Sequence, residues 1–449
     1  MKHFNLFLIF VISITYLKSQ VSQQDSLALV DFYNALDGPN WNNNNNWLSD
    51  QSVSNWNGVG VSGDRVNRID LRRNNLKGVI PSSFSALDKL TMVDVSENNI
   101  TDIPDLSAMI DMIQLNLGNN MLSEFPVGIA NMTRLNNLFL IDNQITGQIP
   151  DDLSSLTLLK RVSFGNNPLS GPVPDMKGWT LLEQLHLSNS DLSGDLSDVL
   201  PASGSMNNLN AENCLLTGSI PSSAFLKGSD VIIIFTNNDI EDITRLDELM
   251  IRRLWTRDNR LDFANLLPFL ENVEDFRYDS QKPILAPETR NVIPGGNITL
   301  VSDIDGAGTS YQWYKNDELI EGATAVEWVI NNADESDVGV YYCSGTHPEF
   351  PGMTLTQTPT MLTVDHSTSI NEVNPEVNLY PNPFTERVMI SSTEIIDQAV
   401  VYNMQGQQVL TVNPGSDRFQ LDLSGLPDSQ YLLSILSNSV SKSQIIIKQ

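Results

Sequence analysis

Residues that could carry catalysis are few and scattered in this chain of 449 residues. Of its four histidines, His3 lies in the N-terminal apolar segment, while His186, His347 and His366 fall in three different regions. The sequence contains no His-Glu-x-x-His spacing, no glycine-rich phosphate loop and no Gly-x-Ser-x-Gly motif. Asp303-Ile304-Asp305-Gly306 looks like part of a calcium loop, but the other ligands and the closing glutamate are absent, which favours a simple turn. We therefore predict no catalytic, cofactor or metal site, and no enzyme.

Binding chemistry is better represented. Arg253, Trp255 and Arg257 alternate along a short segment, and Arg277 follows one repeat later. Alternate residues of a β-strand point to the same side, so this spacing would place the three side chains together. Arginine and tryptophan are the residue types that most often dominate protein interfaces. Such a group needs a regular structural element to hold it.

An internal repeat supplies that element. Ile69, Leu71, Asn74 and Leu76 set a pattern of two apolar residues, an asparagine and a third apolar residue at offsets 0, 2, 5 and 7. The pattern recurs with a step of 21 to 24 residues. Its anchor positions are Asn74, Asn98, Asn120, Asn143, Asn167, Ser190, Cys214, Asn238, Asn259 and Gln281. Two apolar residues separated by one face inward from a short strand, and a buried asparagine can satisfy backbone groups at the following turn.

These copies are identified as leucine-rich repeats, which bury their apolar sides only by stacking on one another. A glycine four places after the anchor, followed by an apolar residue and proline, resembles the plant-type subclass. Asn98, Asn120, Asn238 and Asn259 lack that glycine, so the match is partial. Residues 21–66, with a helical start and three tryptophans, resemble the N-terminal cap of such solenoids. The resemblance implies a horseshoe of mostly short parallel strands over residues 67–282.

In this family the residues beside the two inward apolar positions face the concave surface. The sequence-based site is therefore a partner-binding face made of Arg253, Trp255, Arg257, Arg277, His186, Phe139 and Arg161. The alternative is that the later arginines only pair with nearby acids such as Asp258, Asp275 and Asp279 as a solvated surface.

Two smaller β regions are expected after the repeats. Residues 283–365 resemble an immunoglobulin-like domain, with Trp313 in the core and Tyr341 two places before Cys343. Ser302 stands where that family has its first cysteine, so the usual inter-sheet disulfide cannot form. After a linker at 366–376, residues 377–449 resemble the C-terminal sorting domain of the type IX secretion system of Bacteroidota. A generic β-sandwich without a sorting role is the alternative.

The predicted fold class is thus an α/β leucine-rich-repeat solenoid followed by two small all-β sandwich domains. Residues 1–20 form an apolar segment typical of a secretory signal peptide, with a retained membrane anchor as the alternative. No later segment is apolar enough to be transmembrane. The net charge of −28, from 54 acidic and 26 basic residues, disfavours nucleic acid as a partner.

Together these features predict a protein that is secreted, or held at the outer-membrane cell surface, after signal peptide cleavage. We expect the type IX secretion machinery to export it and an extracellular protein or glycan to be its ligand. The first hypothesis is recognition of a protein through the concave face. A carbohydrate- or matrix-binding adhesin and an unrecognised secreted enzyme are the alternatives.

Overall fold

The computed structural model describes residues 21–284, 288–365, 377–437 and 440–449. The predicted signal peptide at 1–20 and the linker at 366–376 lie outside the described residues. The chain divides into two compact units. The first comprises Met1–Asn259 with Pro268–Asp279, and the second comprises Arg260–Leu267 with Ser280–Gln449. The domain boundaries given above stay predictions.

The first unit is built on one long sheet of 11 strands, which the repeats generate. The first two strands are antiparallel and every later neighbour is parallel. In sheet order the strands are Val59–Ser62, Arg65–Asp70, Met92–Asp94, Gln114–Asn116, Asn137–Phe139, Arg161–Ser163, Gln184–His186, Asn208–Asn210, Val231–Ile234, Ile251–Trp255 and Asp275–Arg277. In five of them a buried central residue lies between two partly exposed ones, because alternate side chains face opposite sides.

The buried anchor asparagines connect each repeat to the one before it. Asn167 is representative: its Nδ2 donates to the carbonyl of Phe164 in its own repeat (2.8 Å) and to that of Leu140 in the preceding repeat (3.0 Å). Its Oδ1 accepts from the backbone N–H of Ile145 at 3.0 Å. Ser190, at the same position one repeat later, hydrogen-bonds the carbonyl of Leu187 at 2.9 Å and the thiol of Cys214 at 3.4 Å, but reaches no described backbone group of the preceding repeat. The predicted role of the anchor is therefore confirmed, and serine fills it only in part.

The glycine four places after the anchor allows a second, smaller sheet. Gly171, Gly194 and Gly218 have φ angles of +85°, +111° and +72°, which L side chains rarely adopt. A Cβ on Gly218 would also lie 2.0 Å from the Asp195 carboxylate. The strands here are Ser170–Pro172, Asp191–Asp195, Leu215–Ser219 and Asp239–Asp242, and Lys77–Val79 pairs with Asn99–Asp102 in the same way.

Short helical segments complete the turns. The described α-helices are Gln23–Ala35, Leu196–Val199 and Phe263–Leu266. The described 3-10 helices are Gly38–Asn40, Val53–Asn55, Ser82–Ala86, Ile129–Asn131, Asp151–Ser155, Ser222–Ala224, Thr244–Glu248, Leu267–Phe269 and Glu335–Asp337.

The N-terminal region closes the first end of the long sheet with aromatic side chains. Trp47 lies 4.9 Å from Trp41 and 5.0 Å from Trp56 between ring centroids, and Phe32 of the first helix packs on Trp41 at 6.0 Å. The three tryptophans are 5–7% exposed. Asp25 of the same helix is fully buried and ion-paired with Arg65 of the second strand. The three tryptophans and Phe32 therefore form the aromatic core of this region.

The second unit begins with an immunoglobulin-like arrangement. One sheet contains Glu288–Val292, Thr360–Val364, Gly339–Thr346, Ser310–Lys315 and Glu318–Leu319, with Thr354–Thr356 beside it, and Ile298–Val301 pairs with Glu327–Ile330. Trp313, Tyr341 and Cys343 are buried in its core. The hydroxyl of Tyr341 donates to the carbonyl of Asp337 at 2.8 Å, as expected for a tyrosine corner.

The position of Ser302 gives a stability prediction. Ser302 is 7% exposed and its hydroxyl hydrogen-bonds the thiol of Cys343, while burial raises the pKa of that thiol. We expect Ser302→Cys to form a disulfide with Cys343 and to stabilise this domain by about 3 kcal/mol, by restricting the unfolded chain. Thermal unfolding with and without reductant, together with thiol titration, measures the effect. Ser302→Ala is the control. If titration of Ser302→Cys found the thiols at positions 302 and 343 both free, in addition to that of Cys214, the prediction would be wrong.

The C-terminal region is a second β-sandwich. One sheet contains Val377–Tyr380, Arg387–Ile396 and Ser416–Asp422, and the other contains Gln408–Val412, Gln398–Asn403, Gln430–Ser437 and Val440–Ile447. Its core includes Phe384, Val388, Ile390, Leu421 and Leu433. The predicted fold class, a leucine-rich-repeat solenoid followed by small β-sandwiches, is confirmed.

Candidate binding surface

The strand register arranges the sequence-predicted site residues in rows across the long sheet. Phe139, His186, Trp255 and Arg277 each end a strand, and consecutive strands align these ends. The end row runs Phe139, Ser163, His186, Asn210, Ile234, Trp255 and Arg277. A parallel start row runs Asn137, Arg161, Gln184, Asn208, Ile232, Arg253 and Asp275. Arg257 lies two residues beyond its strand.

The predicted residues therefore form two groups on one face. Arg253, Trp255 and Arg277 are neighbours at the C-terminal end of the rows, and Arg257 follows them in sequence. Phe139, Arg161 and His186 lie further toward the N-terminal end, separated from the first group by the strands that contain Asn210 and Ile234. We call the first group, with Arg257, the Trp255 patch.

The Trp255 ring is held between two guanidinium groups. The central guanidinium carbon of Arg277 lies 3.7 Å from the ring centroid, and that of Arg253 lies 5.0 Å away. Both distances are within the range of cation–π attraction. The indole Nε1 is shielded from solvent. Burial alone would raise the pKa of Asp275, but interactions with the Trp255 indole and with Arg253 and Arg277 hold it below its usual value.

Acidic residues fix the same arginines from the side. Asp275 accepts from Arg253 Nε at 2.7 Å and from Arg277 Nε at 3.4 Å, while Arg257 Nε donates to Asp279 at 2.5 Å. The ion pairs that the alternative interpretation expects are therefore present for Asp275 and Asp279, and binding of a partner by the same arginines stays a prediction. The three arginine side chains still remain 36–45% exposed. Exposed ion pairs of this kind are weak, so a partner can share or displace them.

Two polar side-chain atoms near the middle of the end row are buried. Ser163 Oγ and His186 Nε2 are shielded from solvent and make no hydrogen bond within the described residues, and the two residues are aligned on adjacent strands. Phe139 is aligned with Ser163 on its other side. Buried polar atoms are normally satisfied, so this point suits a water molecule or a ligand hydroxyl.

Burial of His186 predicts a dependence of stability on pH. Desolvation lowers the pKa of His186, although a hydrogen bond with Asn208 opposes the shift. The unfolded chain, with an imidazole pKa of about 6.5, therefore takes up the proton first as pH falls. Above that pH His186 is neutral in both states and does not affect stability. As the pH is lowered through that value, we expect the free energy of unfolding to decrease. Urea unfolding at pH 7.5 and 5.5 should show a smaller acid-induced loss for His186→Gln than for the natural chain; equal losses would contradict this.

Two residues of this surface were not among the site residues selected from the sequence. Asp275 was considered only as a possible partner of the arginines, although it lies opposite Arg253 one step of 22 residues later. Ser163 was not selected, although it precedes His186 by one step of 23 residues. Adding the repeat step to each selected residue would have found both.

Comparison with known families assigns the three regions. Residues 64–122 match the leucine rich repeat model, 282–364 match the immunoglobulin domain model, and 378–449 match the model of the secretion system C-terminal sorting domain. The chain therefore contains leucine-rich repeats, an immunoglobulin-like domain and a type IX sorting domain. This leucine-rich-repeat protein is therefore exported to the cell surface or the extracellular space, and no described helix is long and apolar enough to cross a membrane.

Among curated proteins, the leucine-rich-repeat protein is 29% identical over 85 residues to keratocan of Danio rerio, covering 18% of the chain and 24% of keratocan. Among solved structures it resembles the PEPR1–AtPEP1 complex, with 22% identity, a TM-score of 0.48, and coverage of 60% of this chain and 39% of that one. It also resembles the BIR2 ectodomain from Arabidopsis thaliana, with 30% identity, a TM-score of 0.34, and coverage of 37% and 93%. The chain thus spans about a quarter of keratocan and two fifths of the first structure.

Proposed function

We propose that this exported leucine-rich-repeat protein binds an extracellular protein through the exposed face of its long sheet, and that it catalyses no reaction. That face is the one expected from sequence to be concave. The observation that supports the proposal is the Trp255 ring held between Arg253 and Arg277, with Asp275 bridging the two arginines. Leucine-rich repeats and immunoglobulin-like domains are typically binding modules.

Preorganisation makes this arrangement suited to binding. Long arginine side chains normally lose conformational freedom when a partner immobilises them, and that loss weakens association. Here Asp275 and the indole ring already restrict Arg253 and Arg277. A partner therefore meets an aromatic surface and guanidinium donors whose positions are set beforehand. An acidic segment is the best-matched partner surface, because this patch concentrates arginines in a chain of net charge −28.

Phe139, Arg161 and His186 extend the proposed interface along the same two rows. Their distance from the Trp255 patch suits a partner that lies along the sheet across several repeats. The carbohydrate-binding alternative has its own support. Ser163 Oγ and His186 Nε2, which have no hydrogen-bond partner among the described residues, could bind a sugar hydroxyl, and the neighbouring Phe139 could pack on the face of the sugar ring.

The test compares two multiple variants of the purified chain. Arg253→Ala/Trp255→Ala/Arg257→Ala removes two positive charges and the indole ring from the patch. Lys89→Ala/Arg134→Ala removes two exposed charges that pair with Asp111 outside both rows. We expect the patch variant to lose at least tenfold of its captured surface protein, while the control variant captures as much as the natural chain. Circular dichroism confirms that both variants fold.

Bacterial and eukaryotic surface extracts and a glycan array are the two sources of ligand. Capture of the same protein by the natural chain and the patch variant would overturn the proposal, as would retention of no protein at all. Binding confined to glycans would assign the carbohydrate alternative instead.

A further inference from the structure

A second candidate site lies at the N-terminal end of the long sheet. An open cavity of about 540 Å³ is bounded there by the cap and the first repeat. Its lining includes Asn42, Asn57, Arg68, Asp70, Arg72 and Arg73. We propose that this cavity binds an acidic oligosaccharide through the carboxylate and hydroxyl groups of a uronate residue.

The asparagine-rich segment of the cap forms one wall of the cavity. The backbone N–H of Asn43 donates to Asn74 Oδ1 at 2.6 Å, and Asn42 Nδ2 donates to the carbonyl of Arg73 at 2.9 Å. Asn43 Nδ2 donates in turn to Asn57 Oδ1 at 3.0 Å. These bonds join the cap to the first repeat at the anchor position itself. The wall is therefore a fixed part of the fold, and the asparagine run has a structural reason.

The cavity lining is also rich in guanidinium groups. Arg68 pairs with Asp70 at 2.5 Å, but Arg72 and Arg73 share one carboxylate, that of Glu97. Glu97 accepts three hydrogen bonds from the two guanidinium groups, which carry five N–H donors each. The three arginine side chains are 50%, 52% and 70% exposed. Donors thus remain available for a second, incoming carboxylate, which guanidinium groups bind in a bidentate manner.

The composition of the lining selects the ligand class. The apolar side chains in the lining are those of Val59 and Leu71, and they are only 9% and 1% exposed. A peptide would find no exposed apolar surface here for its own apolar side chains. Amide and guanidinium groups instead match a ligand that is polar on every side, and the volume falls in the usual range for small-molecule sites.

The cavity and the Trp255 patch are separate sites. Arg68 and Asp70 belong to the second strand of the long sheet, and Trp255 belongs to the tenth of its 11 strands. Failure of one site to bind therefore leaves the other unaffected, and the Trp255 patch variant is expected to retain uronate binding.

Isothermal titration calorimetry of the full chain tests the assignment with three probes: a galacturonate trisaccharide, the neutral galactose trisaccharide and triglutamate. We expect the uronate to bind at least tenfold more tightly than either other probe, with an affinity that falls as salt is raised. Arg72→Gln/Arg73→Gln/Glu97→Gln should weaken uronate binding at least tenfold. The control Lys89→Gln/Arg134→Gln should stay within twofold of the natural chain.

A second variant protects the test against misfolding of the first. Asn57→Asp is nearly isosteric and places a negative charge in the lining, so it should weaken uronate binding at least fivefold. No uronate binding, equal binding of the neutral sugar, or unchanged affinity in the arginine variant would each overturn the assignment. Tighter binding of triglutamate would overturn the choice of a saccharide.

Discussion

Replacing Asn167 with alanine is expected to lower the free energy of unfolding of the solenoid by about 4 kcal/mol. The variant removes donors to the carbonyls of Leu140 and Phe164 and an acceptor for the N–H of Ile145, all in a buried environment. Groups left without partners in the interior keep their desolvation cost, and alanine offers them nothing. Urea unfolding followed by tryptophan fluorescence measures the loss.

Ser190→Ala is the matched control, since Ser190 occupies the anchor position of the next repeat and donates one hydrogen bond to a backbone carbonyl. We expect a loss of about 1 kcal/mol there. Equal losses at both positions would contradict the anchor role, because serine would then carry as much of the network as asparagine.

Replacing Asp25 with alanine is expected to destabilise the cap by about 4 kcal/mol. The fully buried carboxylate accepts from Arg65 Nε at 3.1 Å and from the backbone N–H of Val66 at 2.6 Å. Its removal leaves a buried N–H unsatisfied and leaves Arg65 with Asp88 alone as its acidic partner among the described residues. Because the cap covers the first repeat, we also expect faster hydrogen exchange in strands Val59–Ser62 and Arg65–Asp70.

The control for that variant lies in the same helix. Asp31 is exposed, so Asp31→Ala should change stability by less than about 0.5 kcal/mol. If the exchange of both strands were unaltered in Asp25→Ala, the buried ion pair could not be what holds the cap to the sheet.

Periodicity explains why so much of the solenoid follows from sequence. A constant step between anchors fixes the register of each strand, so residues one step apart, such as Arg253 and Asp275, become neighbours. The inward apolar pairs and the left-handed glycines follow from the same repeat. Whether Trp255 and its arginines bind a partner stays a prediction, because the repeat fixes their positions and not their ligand.

The N-terminal cavity could not be predicted in this way. Its wall depends on contacts such as Asn43 with Asn74, which join an aperiodic segment to the repeat across 31 residues. No spacing rule links the two, and five successive asparagines indicate only a loop. Arg68, Arg72 and Arg73 could be placed near the inner face from sequence, but their enclosure by the cap could not.

Because the strands of the long sheet share one register, the number of repeats sets the distance between the arginines at its two ends. Eight strand-to-strand steps separate Arg65–Asp70 from Ile251–Trp255, or roughly 40 Å along the sheet at about 4.8 Å a step. Because each anchor asparagine bonds to equivalent backbone groups of its neighbour, whole repeats can be gained or lost without new chemistry. Gain or loss of one repeat would change the distance between the arginines at the two ends by about 5 Å. It would therefore change the length of an extended molecule that can reach the N-terminal cavity and the Trp255 patch at the same time.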